Sequence, residues 1–383
     1  MADFGIYIHV PFCARKCDYC AFATWTDRDH LVVAYMEAMR HQAAAAVHDA
    51  MPPVTSVFVG GGTPSLVDPH LLTAVLDELP IVAGAEVTVE CNPDFVDRDR
   101  FDHYVAHGVN RISLGVQSMT PHVLEALGRT HDPDNVVTAV RDARAAGIDR
   151  LNVDLIYGAN RESLSDWEQT LADMLLLSPD HVSAYALTIE AGTALYDDPA
   201  RHPDDDDQAE KYLRAEAALV GAGLTNYEIS NWSTVGQECR HNLLYWTGGN
   251  YLGIGCAAHS HQDGRRFWNV HTPERYISAM ESGTSVEAGS ERLEPDARAL
   301  ELLQLQVRLS HGVSVDAIAD EVRHLVDVNS EGIAKLTLDG RLLANEVAIR
   351  LTIPDRLQKH VGAEHIGSAP TDDSPPGVDH HPM

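Results

Sequence analysis

Basic residues are scarce in this chain. Of 383 residues, 28 are Lys or Arg and 57 are Asp or Glu, a formal charge of −29. A duplex-binding surface works by neutralising phosphates, so this balance argues against a nucleic-acid partner and for plain solubility. Long apolar runs are missing as well: none approaches the roughly 18 residues of a membrane span. The start, MADFGIYIHVPF, lacks the basic stretch and long apolar core of a signal peptide. The expected setting is therefore cytoplasmic. Cysteine is sparse, six in all, and in a reducing compartment such cysteines serve as metal ligands or redox groups more often than as disulfides.

Three of the six crowd into HVPFCARKCDYCAF (9–22), as Cys13, Cys17 and Cys20. Spacings this short let one loop wrap a cofactor with every sulfur inward. A structural zinc site normally takes four protein ligands. His9 is the nearest fourth, but it sits inside a strand pattern. A 4Fe–4S cluster usually has four cysteines too; with three, one iron stays open for another ligand. Both metals remain open on the residues alone.

Short β-branched runs at 5–10, 55–60, 86–91, 111–116, 150–158 and 181–189 alternate with helix-like stretches at about 29–50, 68–79, 97–107, 132–146, 164–178 and 205–222. Six strand–helix units in series imply parallel strands with crossover helices. A closed barrel takes about eight, so the expected fold is α/β, a partial (β/α)6 TIM-like barrel or an open sheet, with its working site at the strand C-termini. The expected core is 1–235, followed by a Gly-, aromatic- and His-rich segment at 236–292 and a small, mostly helical domain at 293–356. The Pro-, Asp- and His-rich tail at 357–383 is expected to be disordered.

Candidate ligand groups fall at strand ends. VGGGTPS (59–65) follows the second strand; glycines there allow close backbone approach, and Thr63 adds a hydroxyl. Glu90, Gln117 and Asp154 lie at or near strand C-termini, and Arg129 sits in LGRTH. Polar groups converging on one mouth suit a nucleoside and an amino-acid carboxylate.

The C-x3-C-x2-C spacing, with Tyr19 before the last Cys, resembles the signature of the radical S-adenosylmethionine (SAM) superfamily. YIHVPFCARKCDYCAF, FVGGGTPS, GVNRISLGVQS, DLIYG, NYEISNW, ECRHNLLYW and RRFWNV together resemble the oxygen-independent coproporphyrinogen III oxidase group. That resemblance implies a 4Fe–4S cluster on Cys13, Cys17 and Cys20, with SAM chelating the open iron. It implies SAM contacts from Tyr7, Tyr19, Gly61, Gly62, Thr63, Glu90, Gln117, Arg129, Asp154 and Ala186. The oxidases of the group carry one more Cys two positions after the third, where this chain has Phe22. The haem-chaperone branch lacks that Cys and carries His-Asn-x-x-Tyr-Trp, here His241, Asn242, Tyr245 and Trp246. By resemblance this is a haem chaperone serving acceptor proteins, with oxidative decarboxylation of coproporphyrinogen as the alternative and a flavodoxin- or ferredoxin-like electron donor implied. An imidazole ligates haem iron commonly, and the two aromatics suit stacking on a macrocycle. HNLLYW also makes sense as a packing segment with His241 bonded internally. Cys239 and Cys256 are expected to be buried thiols. Oligomeric state and contact with a membrane surface stay open. After DLIYG the group usually turns with Pro-Gly; ANRES (159–163) departs from this.

Overall fold

The computed structural model describes residues 3–354; the tail expectation lies outside them. The first half alternates as the apolar runs require. β1 (Phe4–Val10), α1 (Val32–His48), β2 (Val54–Gly61), α2 (Pro69–Leu76), β3 (Ile81–Cys91), α3 (Arg98–Ala106) and β4 (Arg111–Gln117) are followed by α4 (Pro121–Ala126), α5 (Pro133–Ala146), β5 (Arg150–Tyr157), α6 (Leu164–Leu175), β6 (His181–Ala186) and α7 (Asp205–Gly221). Local chemistry sets the ends. Ser163 and Asp166 form a capping box on α6, and α5 runs from the Asp132 cap and Pro133 to a left-handed Gly147.

β1 to β6 pair in sequential order, all parallel. Buried Val, Ile and Leu from these strands join the apolar faces of the helices in one core. Beyond β6 the sheet continues through β7 (Thr225–Glu228) and β8 (Asn231–Ser233), with β8 antiparallel to β6. On the other edge, after α8 (Arg240–Trp246), the sheet gains β9 (Asn250–Ile254), β10 (His259–Gln262), β11 (Arg265–Asn269) and, past α9 (Pro273–Ser282), β12 (Glu287–Arg292). β9 pairs parallel with β1. The chain is therefore α/β with an open, twelve-stranded sheet among the described residues.

α8 lies at the N-terminal ends of the strands. A Cβ on Gly5, early in β1, would meet Leu244 and His241, and Ser56 in β2 bonds His241. Arg240 donates to Gly84 O in β3 at 2.9 Å. α8 thus plugs the end of the sheet opposite the cysteine loop. Finally α10 (Pro295–Gln306), β13 (Val313–Ser314), β14 (Val326–Val328), β15 (Ile333–Leu336), α11 (Leu338–Leu342) and α12 (Ala344–Ala348) enclose a second core around Leu303, Val307, Ile318 and Val347. Its small antiparallel sheet, β13-β15-β14, is an addition to the helices the sequence suggests. Arg341 anchors this unit to α7 with two bonds to Glu216, at 2.9 and 2.6 Å.

Candidate functional site

The cysteine loop leaves the C-terminal end of β1. Cys13 N donates to Trp25 O at 3.1 Å, and Trp25 N to Pro11 O at 2.8 Å, closing the loop at its base. Asp18 holds its far side: its N–H reaches Leu127 O, and its carboxylate pairs with Arg201 at 2.7 Å. Cys13 Sγ accepts from Thr63 Oγ1 at 3.7 Å, and Cys17 Sγ from Arg129 Nη1 at 3.8 Å. Burial pushes the Cys13 and Cys20 thiols up. Among the described residues no three His, Cys, Asp or Glu groups already converge on one point as a metal centre. His9, the alternative fourth ligand, is buried, with its ring nitrogens against Tyr7 OH at 3.0 Å and Ala23 O at 2.9 Å.

The three cysteines line one cavity of about 500 Å³ together with Tyr19, Gly61, Gly62, Thr63, Glu90, Gln117, Arg129, Asp154 and Ala186. Gly61 has φ +108°, and a Cβ on Gly62 would lie 2.6 Å from Phe12 O and 3.0 Å from Cys13 Sγ. Only glycine lets the β2 loop lie this close to the cysteine loop. At the end of β4, Gln117 has φ +64° beside a bulge in the β4–β5 register, which aims its side chain into the cavity. Glu90 accepts from Gly61 N at 3.1 Å, and burial together with the Asp154 charge pushes its carboxyl up to about 8. Asp154 is raised by burial against the bonds it accepts from Ser113 at 2.7 Å and Asn152 at 2.8 Å. Arg129 donates to Gly115 O at 2.6 Å, while its buried Nε has no partner.

These residues fit the implied groups. Cys13 and Cys17 have hydrogen-bond donors placed for sulfur, the glycine loop makes a cradle that a Cβ would fill, and Arg129 at the cavity wall has a buried Nε with no partner.

A second, inner chamber of about 310 Å³ adjoins the first, sharing Phe22, Gly61, Glu90, Ser113, Asp154 and Tyr185. Tyr7 lines this inner space, as do Asn242 and Tyr245 of α8. His241 and Trp246 line neither cavity. His241 is fully buried, its Nδ1 3.0 Å from Ser56 Oγ and its Nε2 2.8 Å from Tyr245 OH, stacked on Phe58. Burial pushes its pKa down to about 3, so it is neutral. The four residues expected to form one haem face are thus split, and the expected iron ligand has both ring nitrogens engaged. Cys239 and Cys256 are buried thiols against Glu86 and Tyr35, as expected. The ANRES loop is braced by Glu162, which accepts from Gly158 N at 2.7 Å and pairs with buried Lys211 at 3.1 Å.

Residues 7–174 match the model of the radical SAM superfamily. "Heme chaperone HemW" of Mycobacterium tuberculosis (strain ATCC 25618 / H37Rv) is 40% identical over 366 residues, spanning 90% of this chain and 93% of that protein. "Heme chaperone HemW" of Escherichia coli (strain K12) is 35% identical, spanning 84% and 89%. The chain belongs to the HemW family. Among solved structures, coproporphyrinogen III oxidase (HemN) from Escherichia coli, a radical SAM enzyme, superposes with a TM-score of 0.80 at 20% identity, over 91% of this chain and 90% of that one.

Sequence reasoning missed the floor of the inner chamber. Arg111, His181 and Asn152 stand at strand starts, inside apolar runs, where a polar residue looks like a strand edge. His181 Nδ1 lies 2.6 Å from Asn152 Oδ1 and its Nε2 2.8 Å from Tyr227 OH. Glu86, fully buried, sits 3.5 Å from both Arg111 and Arg150. The one signal available was a charged residue in each of RISLGV and EVTVEC.

Proposed function

We propose that this protein is a haem chaperone that carries a 4Fe–4S cluster on Cys13, Cys17 and Cys20, binds SAM in the outer cavity and delivers haem to acceptor proteins in the cytoplasm. The observation that carries this is the 35–40% identity to the two haem chaperones along most of the chain. When bound, the cluster would supply an electron to SAM. The chain's own residues hold and orient: Glu90 and Asp154 face the cavity as a carboxyl pair, Arg129 presents a free N–H, and Gln117 is aimed by its bulge. A flavodoxin- or ferredoxin-like donor suits the exposed Arg15 and Lys16 beside the cysteines. No helix among the described residues is long and apolar enough to cross a membrane.

Haem contact through His241, Asn242, Tyr245 and Trp246 requires His241 to leave its buried seat, where Ser56 Oγ holds Nδ1 and Tyr245 OH holds Nε2. This gives a direct test by titration of haem into anaerobically reconstituted protein, read at the Soret band. Tyr245→Phe frees Nε2 and is expected to tighten haem about fivefold, the worth of one hydrogen bond; His241→Ala is expected to abolish the saturable band. No saturable band in the parent protein overturns the chaperone reading. Retained binding in His241→Ala rules out His241 as the iron ligand.

Phe22, 63% exposed, lines both cavities where the oxidases carry a cysteine. It favours the chaperone over coproporphyrinogen decarboxylation. An anaerobic assay yielding protoporphyrinogen would reverse that preference.

A further inference from the structure

The inner chamber carries chemistry that neither the cluster nor SAM uses. Its floor holds Arg111, 1% exposed, whose Nη1 donates to Gln237 O at 2.9 Å and whose Nη2 has no partner. Beside it Thr88 Oγ1, also fully buried and also lining the chamber, has no partner. Buried donors are rarely left unmade, since each such group costs about 1–3 kcal/mol. Two guanidiniums, Arg111 and Arg150, lie 3.5 Å from one carboxylate, Glu86, and the Arg111 charge also reaches Asp154. Glu86 is itself occupied on Oε1 by His241 N at 3.2 Å and Cys239 Sγ at 3.5 Å. His181 is held neutral by burial and adds no charge. The floor therefore offers an unpaired N–H and an unpaired hydroxyl, beside a Glu86 Oε2 that has no hydrogen-bond partner either. The opposite end carries the Glu90 and Asp154 carboxyls, and the walls are Tyr7, Phe58, Tyr185 and Tyr245.

We infer that the inner chamber binds a small carboxylate-bearing molecule, its carboxylate on Arg111 and Thr88 and its other end toward Glu90 and Asp154. An anion completes both orphaned donors; a guanidinium is the donor best suited to a carboxylate. The volume, about 310 Å³, lies at the lower end of small-molecule sites. It suits a molecule of amino-acid size and leaves no room for a tetrapyrrole, so this ligand is distinct from the haem cargo.

The test is ligand-observed NMR with the full chain, cofactor-free and cofactor-loaded, using propionate and the neutral isostere propionamide as probes. Propionate is expected to saturate and propionamide to give no saturable signal. Thr88→Val is expected to weaken propionate about fivefold. Arg111→Lys keeps a cation opposite Glu86 but loses the fork, and is expected to weaken it about tenfold. Equal responses to both probes, no saturation by either, or unchanged affinity in Thr88→Val would overturn the inference and leave the chamber to water. If Arg111→Lys does not fold, Thr88→Val decides alone. Haem titration of Thr88→Val reads the chaperone reading separately, since Thr88 lies outside the α8 motif.

Discussion

Glu90 shows how a single carboxyl acquires a function-ready protonation state. Its native pKa is pushed up to about 8 by burial and Asp154, whereas an unfolded glutamate titrates near about 4.3. Between those values the native state holds one proton more than the unfolded state. Stability contributed by this group is therefore present at low pH and falls as pH rises through the window. The melting temperature of cofactor-free protein is expected to decline from about pH 5 to pH 8, and Glu90→Gln to flatten that decline in a series of thermal melts. Much of this residue-scale picture was legible beforehand. Cysteines separated by three and two intervening residues and carboxyls at strand C-termini announce themselves by type and place. Arg111 did not, because its meaning depends on Glu86 and Gln237, which the chain brings to it from 25 and 126 positions away.

Among the elements, β1 to β6 follow directly from their apolar runs, and their helices from capping residues such as Asp132 and Ser163. α8 could be expected as a segment but not as a plug: nothing in HNLLYW tells which end of a sheet it covers. Its seat depends on Gly5, where a Cβ would lie 2.5 Å from Leu244 Cδ2 and 3.1 Å from Ser56 Oγ. Gly5→Ala is expected to displace α8 and destabilise the protein by about 1–3 kcal/mol in urea unfolding. Ser56→Ala removes one bond to His241 and is expected to cost about 1 kcal/mol in the same measurement. Both changes loosen the helix, so hydrogen exchange at 240–246 should accelerate while the strand amides of β4 and β5 stay protected.

The molecule as a whole is a parallel sheet flanked by antiparallel additions and joined to a smaller unit by apolar packing, with Leu342 against the main core, and by polar bonds. Arg341 donates twice to Glu216, which also accepts from Trp232 Nε1 at 2.7 Å. Arg341→Ala is expected to lower stability by about 1–3 kcal/mol, seen as an earlier first transition on calorimetry if the smaller unit detaches. The alternation of the first half could be read from the chain; the extra strands β7 to β12 could not, since most are only a few residues long and they join the parallel sheet through distant pairings, β8 with β6 and β9 with β1. The two cavities meet at a neck of Phe22, Gly61, Glu90, Ser113, Asp154 and Tyr185. A guest in either cavity leans on walls that the other also uses. Occupancy of one room then sets the shape and charge that the other offers, so two guests compete or cooperate according to how they share that neck.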